Sequence, residues 1–325
     1  IRTPRYLEAV RGWFRSRHGW EVPEEHLAFA PPGVIFAVNV LIDILTKPGD
    51  RIVMQTPNYD ALMSSVTEGG RILAENPLKV ENGRYTLDFD GLERELARPG
   101  TKVLLMSNPN NPTGRLWTPE ELRRLGEMCL AHGVTILSDD IHADLAMPGY
   151  RYTPLPSLSP KLARASVLLT STNKTFNLGG LQMATLAIGD EELRMRFNQA
   201  MCRYQTRLDN LFGAVALETA YEKCGYWLDQ AVAYIDGNRR ALEKFAEEHL
   251  PQLKFCPMEA TYFSWVDFSG LGKGEGLESF LVEECGVALT PGREFSEQYS
   301  QFMRVNLACR RELLLQAFRQ IARRI

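Results

Sequence analysis

The chain has 325 residues, 45% of them hydrophobic, which is enough to bury the core of one large domain or of two smaller ones. Its 37 basic and 40 acidic residues nearly cancel and leave a formal net charge of -3, so we expect neither a nucleic-acid partner nor a membrane partner. No stretch approaches 18 consecutive apolar residues and the first residues do not follow the order of a signal peptide, which predicts a cytoplasmic protein.

Cysteine and histidine usage argues against two further classes of site. The six cysteines are widely spaced, without a CxxC pair, and we interpret them as ordinary thiols rather than a disulfide framework. The five histidines form no HxxxH or HExxH pair, so no metal site is expected.

Short apolar runs recur between helical stretches along the first two thirds of the chain. They lie at residues 51–55, 102–107, 134–138, 166–170 and 183–188. This alternation predicts an α/β fold, and runs that are apolar on both faces are typical of strands buried between two helix layers in a largely parallel sheet. Ligands of such sheets bind beyond the carboxyl ends of the strands, so the loops after these runs are the candidate site.

Helical patterns fill the spaces between the runs. Apolar residues from Val34 to Leu45 keep a helical spacing, and Thr118 followed by a proline and two acids predicts the start of another helix. From about residue 207 the pattern is helical for a long span, and residues 261–268 and 302–309 are strand candidates after it. We therefore expect a smaller α+β domain that packs with the first part as one unit.

Three of the loops and helix starts carry candidate binding residues. Gly33 precedes the predicted helix from Val34, whose free N–H groups and dipole suit a phosphate. Tyr59, in TPNYDA, can stack on an aromatic ring, although a half-buried loop tyrosine is as good an interpretation. Asn111, in SNPNNPTGR, offers an amide donor, although its surroundings by themselves favour a plain turn.

Two further loops carry charged candidates. Asp139 directly follows an apolar run, where an ionised carboxylate is costly unless it meets a cation such as a protonated pyridine nitrogen; a helix cap is the alternative. His142, three residues later, can donate a hydrogen bond to a phenolic oxygen of the same ligand, although it can also be a plain structural histidine. Lys174, with Ser171 before it, can form an imine with an aldehyde and then act as a base, although a lysine after a strand is most often a solvated surface residue.

In this order, the segments resemble the fold type I pyridoxal 5'-phosphate (PLP) enzymes, the aspartate-aminotransferase-like family. The resemblance rests on the glycine at a helix start, TPNYD, NPNNPTG, SDD, SxxK and the arginine of FMRVN, and it runs over essentially the whole chain. It implies PLP as the cofactor and a homodimer. It also implies a large domain, residues 1–227, with a mostly parallel seven-stranded sheet between helices, and a smaller α+β domain, residues 228–325.

The resemblance also implies a role for each candidate residue. Lys174 would bind the cofactor and shuttle the Cα proton, Asp139 would pair with the pyridine nitrogen, and Arg304 would bind the substrate α-carboxylate. The other implied contacts are the phenolic oxygen and the substrate for Asn111, the ring face for Tyr59, and the phosphate for Ser171, Gly33 and Val34; His142 is kept beside them as a cofactor-binding candidate on its own chemistry. The family segment that precedes residue 1 of this chain contains a string similar to WVADMDF and borders the substrate.

Two positions separate the branches of the family. Many aminotransferases have a tyrosine and an arginine where this chain has His142 and Gln182. The strings SDDIH, KTFNLGGLQ, EATYFSWVDF and RVNLACRR resemble the carbon–sulfur lyase branch, the cystathionine β-lyases and cysteine desulfhydrases. This implies elimination of a thiol from L-cystathionine or another cysteine S-conjugate, leaving pyruvate and ammonia.

Two alternatives remain. An aminotransferase of class I or II would use the same cofactor residues. A ligand-sensing regulator would carry a basic helix-turn-helix module, whose footprint this chain does not show.

Overall fold

The structure is a computed structural model that describes residues 3–206 and 210–325. Its strands are β1 (Leu27–Ala30), β2 (Arg51–Thr56), β3 (Ile72–Pro77), β4 (Lys79–Glu81), β5 (Arg84–Thr86), β6 (Thr101–Ser107), β7 (Thr135–Asp139), β8 (Ser166–Thr170), β9 (Ala184–Ile188), β10 (Lys254–Phe255), β11 (Phe263–Asp267), β12 (Thr290–Pro291) and β13 (Phe302–Asn306). All five apolar runs are strands, which confirms their prediction.

The α-helices alternate with the strands in the first part of the chain. They are α1 (Pro4–Trp13), α2 (Val34–Leu45), α3 (Asp60–Thr67), α4 (Phe89–Leu96), α5 (Pro119–His132), α6 (Pro160–Ala165), α7 (Thr172–Thr175), α8 (Glu191–Arg203), α9 (Leu211–Lys223), α10 (Gly225–His249), α11 (Leu277–Ser279) and α12 (Arg311–Ala322). Thr118 caps α5 together with Glu121, as the sequence predicts. Among the described residues, none of these helices has the length and apolar character needed to cross a membrane.

Within the described residues the large sheet has seven strands in the order β1-β9-β8-β7-β6-β2-β3. Six of them run in one direction and β9 runs in the other. Alternate residues of β6 pack on opposite faces, with Leu105 in the core under α2 and α8 and Leu104 in the core under α4 and α5. Burial on both faces explains why the strand runs are continuously apolar, and the α/β prediction with a seven-stranded sheet is confirmed.

A second, antiparallel sheet in the order β10-β11-β13-β12 lies in the C-terminal part. Its apolar face packs against α10 and α12 around Val266, Val305 and Phe318. The helix α10 runs through residues 227 and 228, so the domain boundary expected there falls within one continuous helix and stays a prediction.

A buried ion-pair cluster joins the two parts next to the candidate site. Arg115, in the loop after β6, lies 2.8 Å from the Glu259 carboxylate and 2.7 Å from that of Glu121. Arg115 and Glu259 are almost completely buried, and the backbone N–H groups of Glu259 and Ala260 donate to the Gly114 carbonyl. The loop that contains Asn111 is therefore held against the segment that leads into β11.

Candidate active site

A cavity of about 350 Å³ lies at the carboxyl edge of the large sheet. It is reached by the loops after β2, β6, β7 and β8, because parallel strands place their carboxyl ends at one edge. Eight of the site residues predicted from the sequence line this cavity: Gly33, Val34, Tyr59, Asn111, Asp139, His142, Lys174 and Arg304.

The N-terminus of α2 forms one wall of this cavity. Gly33, with φ of 107°, occupies a backbone conformation that favours glycine and turns the chain into the helix at Val34. The first N–H groups of a helix have no partner within it, and the helix dipole adds partial positive charge there. This wall therefore suits an anion such as a phosphate.

Asp139 ends β7 at the floor of the cavity. Its side chain is buried, and its Oδ1 accepts a hydrogen bond from the Ile141 backbone N–H at 3.2 Å. Burial raises the pKa of Asp139 to about 6, although the hydrogen bond and the positive charge of Lys174 oppose this change. A buried carboxylate has lost the water that stabilises its charge, so a ligand with a cationic group next to Asp139 would stabilise the ionised form.

His142 is buried in the wall beside Asp139. Burial and the positive charges of Lys174 and Arg304 lower the pKa of His142 to about 3, so the ring is neutral at physiological pH. Its Nδ1 atom has no hydrogen-bond partner among the described residues. A buried ring nitrogen of this kind is available to a polar group of a ligand.

Arg304 and Asn111 meet on another side of the cavity. The Arg304 Nη1 donates to the Asn111 Oδ1 at 3.0 Å. The guanidinium lies over the rings of Phe263 and Phe295, at 4.0 and 4.7 Å from their centroids. Burial lowers the pKa of Arg304, and its Nε has no partner among the described residues. The two aromatic rings therefore hold the Arg304 guanidinium in place, and its Nε–H remains available to an anionic ligand.

The structure places Ser171 differently from the other predicted residues. Ser171 is not among the residues that line the cavity, and its hydroxyl donates to the Met183 carbonyl while accepting from the Asn173 N–H at 3.1 Å. It caps α7, the short helix that contains Lys174. The cavity also contains Phe263, which the sequence marked only as part of a strand, and Gln182.

The residues present fit PLP. The buried Asp139 suits its ring nitrogen, the unpartnered His142 nitrogen and Asn111 suit its phenolic oxygen, and the α2 N-terminus suits its phosphate. Lys174 lines the same cavity, and its amine suits the aldehyde of PLP. The fold and this cavity together define a fold type I PLP-dependent enzyme.

Comparison with known proteins extends this result. Residues 4–321 match the family model of aminotransferase class I and II. The chain is 38% identical to cystathionine beta-lyase PatB of Bacillus subtilis over 97% of its length and 81% of that protein. It is 29% identical to protein MalY of Escherichia coli over 95% of its length and 79% of that protein.

Solved structures agree with these relatives. Cystalysin from Treponema denticola, a structure that contains pyridoxal 5'-phosphate, is 31% identical with a TM-score of 0.96, over 99% of this chain and 82% of that one. The PLP-bound C-S lyase from Staphylococcus hominis is 28% identical with a TM-score of 0.93, over 99% of this chain and 84% of that one. The chain therefore belongs to the aminotransferase class I and II family, in its carbon–sulfur lyase branch.

Proposed function

We propose that the protein is a PLP-dependent carbon–sulfur β-lyase. Its substrates are L-cystathionine or other cysteine S-conjugates, which it converts with one water molecule into a thiol, pyruvate and ammonia. The observation that carries this proposal is a cavity combining Lys174, Asp139 and Arg304 in a chain 38% identical to a cystathionine beta-lyase over 97% of its length.

The cofactor residues have distinct tasks in this proposal. When bound, PLP supplies a ring that accepts electrons from the substrate Cα. Asp139 keeps the ring nitrogen protonated, because its buried carboxylate loses its desolvation cost when it faces a cation. Lys174 would hold the aldehyde carbon in the resting enzyme, and its amine would take up the substrate Cα proton during turnover. His142 and Asn111 hold the phenolic oxygen, and Tyr59 covers the ring.

The substrate is held through its α-carboxylate. Asn111 orients the Arg304 guanidinium through Nη1, while Nε has no partner among the described residues and lies next to Nη2, so that Nε and Nη2 together can make a two-point contact with a carboxylate. The Cα proton is thereby presented to Lys174, and the electron pair left at Cα expels the thiolate from Cβ. Holding a reacting atom against a catalytic group in this way can contribute a large part of the rate enhancement.

Three further properties belong to the proposal. The two domains divide at residues 227/228, and the protein works in the cytoplasm, in keeping with its six free thiols.

The third property is the oligomeric state, which is a homodimer. One face of α9 supports a contact with a second copy, because Leu211, Phe212 and Val215 are 59, 77 and 56% exposed there. Light scattering tests this state, and a fully active monomer would contradict it.

The function is tested by supplying L-cystathionine, L-cysteine and an S-alkyl cysteine to the PLP-loaded protein. A lyase releases thiol and pyruvate in equal amounts without an added keto acid. An aminotransferase instead forms a new amino acid from an added keto acid and releases no thiol, and this outcome would replace the proposal by its alternative. Borohydride trapping with peptide mapping gives the cofactor lysine, and Lys174→Ala is the matched inactive control.

A further inference from the structure

Outside the cavity, a buried carboxylate bonds to Thr175, the residue that follows the cofactor lysine. The Asp144 side chain is only 4% exposed, and three side chains form hydrogen bonds with its carboxylate. The Trp13 Nε1 and the His18 Nε2 lie 2.9 and 2.8 Å from its Oδ1, and the Thr175 hydroxyl donates to its Oδ2 at 2.7 Å. Burial by itself raises the pKa of Asp144, but these bonds outweigh burial and hold the pKa below its usual range.

These bonds connect three segments that are far apart in the sequence. Trp13 ends α1, His18 ends the turn that follows it, and Asp144 lies in the loop after β7. Thr175 is the last residue of α7 and the direct neighbour of Lys174. Trp13 also contacts Phe176 edge to face at 5.6 Å between ring centroids. The N-terminal helix is thus bonded, through one carboxylate, to the segment that contains the cofactor lysine.

The segment around Lys174 needs such support. The helix α7 has four residues, too few to be stable by its own hydrogen bonds. The Lys174 side chain is exposed to the cavity, so its own packing does not fix it. Ser171 anchors the start of α7 through Met183, and Thr175 anchors its end through Asp144.

We propose that Asp144 is a positioning residue, which Trp13 and His18 hold in place and which fixes Lys174 through the hydroxyl of Thr175. The inference rests on the proposed function only in that Lys174 binds PLP. Since an error of about 1 Å in a reacting group costs on the order of 10²-fold in rate, the anchor affects how fast the lysine reacts rather than how tightly the cavity holds its ligand.

The test removes the hydroxyl at residue 175. Apoenzymes of the wild type, Thr175→Val and Thr175→Ser are mixed with PLP, and covalent attachment is trapped with borohydride at timed intervals. We expect Thr175→Val to slow attachment and lower kcat on the order of 10- to 10²-fold, and Thr175→Ser to restore both. Binding of pyridoxine 5'-phosphate, which has no aldehyde, and KM should remain those of the wild type.

Ser166→Ala is the matched control. Ser166 is buried, and its hydroxyl donates to the Leu162 carbonyl at the opposite end of β8. Its loss should lower thermal stability without slowing the attachment of PLP. If Thr175→Val does not fold, Thr175→Ala removes the same hydroxyl without a methyl group against the carboxylate and is judged in the same way.

Two results would overturn the inference. One is attachment of PLP to the hydroxyl-free variant at the wild-type rate. The other is a slow attachment that Thr175→Ser does not restore. A wild-type protein that attaches PLP but releases no thiol would refute the lyase function alone, because the attachment rate does not depend on the substrate.

Discussion

Replacing Asp139 by asparagine keeps the shape of the side chain and removes one negative charge from the floor of the cavity. The carboxylate is 7% exposed, and the Ile141 N–H is its backbone hydrogen-bond donor. In the apoenzyme the charge is costly, whereas the proposed function requires it once PLP is bound. We therefore expect Asp139→Asn to act in opposite directions on stability and on catalysis.

The stability effect follows from the pKa of the group. Burial raises the pKa of Asp139 from 3.8 to about 6, a difference that corresponds to about 3 kcal/mol. Since the folded pKa is the higher one, protonation stabilises the folded apoenzyme, and stability is lost as the pH rises from about 4 to about 6. Asp139→Asn should therefore raise the unfolding free energy of the apoenzyme by up to about 3 kcal/mol at pH 8 and by about half as much at pH 5.

The catalytic effect has the opposite sign. Without the carboxylate the ring nitrogen loses its proton and accepts electrons poorly, so removal of the Cα proton becomes the slow step. Loss of a preorganised electrostatic partner costs on the order of 10²-fold or more in turnover. Thiol release from an S-alkyl cysteine and exchange of the Cα proton with deuterated solvent measure this loss.

Asp60→Asn provides the control, because Asp60 is an exposed carboxylate near the same cavity. Because Asp60 lies in the first turn of α3, its loss of charge should lower the apoenzyme stability by no more than about 1 kcal/mol, and it should not cause the large loss of thiol release expected for Asp139→Asn. The reasoning on Asp139 is refuted if Asp139→Asn releases thiol at the wild-type rate with normal Cα exchange. An apoenzyme of this variant with wild-type stability at both pH values would separately disprove the desolvation cost.

Three further exchanges address other parts of the molecule. Arg304→Lys keeps the charge but loses the fork, so KM should rise on the order of 10- to 10²-fold in steady-state assays; an unchanged KM would place the carboxylate elsewhere. Gln182→Arg adds a cation to the cavity that Gly33 also lines, and equilibrium dialysis should show PLP binding on the order of tenfold tighter, whereas weaker binding would argue against a phosphate within reach of residue 182. Glu259→Ala leaves Arg115 without one of its buried partners and should lower the unfolding free energy by about 3–5 kcal/mol in denaturant titrations; a loss below about 1 kcal/mol would show that Glu121 suffices.

The sequence predicts the central strands of the fold well and its edges poorly. The strands β2, β6, β7, β8 and β9 are nearly all buried, so each is a continuous apolar run. The edge strand β1 has only four residues, and β3 at the other edge alternates between buried and exposed positions. Four residues are too few to show a period in β1, and the partial exposure of β3 mixes polar residues into its run, so both strands carry a weaker sequence signal.

The site residues likewise fall into those that the sequence predicts and those that it does not. Loop residues directly after a central strand, such as Asp139, can be predicted because the topology brings these loops together. The contacts of Asp144 with Trp13 and His18 span more than 120 positions of sequence, and no local pattern marks them. Ser171 shows a third case, since a hydroxyl before the lysine suits either a phosphate or a helix cap, and only the surroundings decide which.

Some of the buried polar groups that lack partners among the described residues lie where the ligand is expected to bind. The Nδ1 of His142 and the Nε of Arg304 have no hydrogen-bond partner among the described residues, and the charge of Asp139 is disfavoured by burial. Each group costs stability in the apoenzyme and gains a partner from the cofactor or the substrate. Binding of PLP at 100 times its dissociation constant adds about 2.7 kcal/mol to stability, comparable with the cost of Asp139 alone. The stability gain of Asp139→Asn should therefore shrink or disappear once PLP is bound, because the cofactor removes the same desolvation cost that the substitution removes.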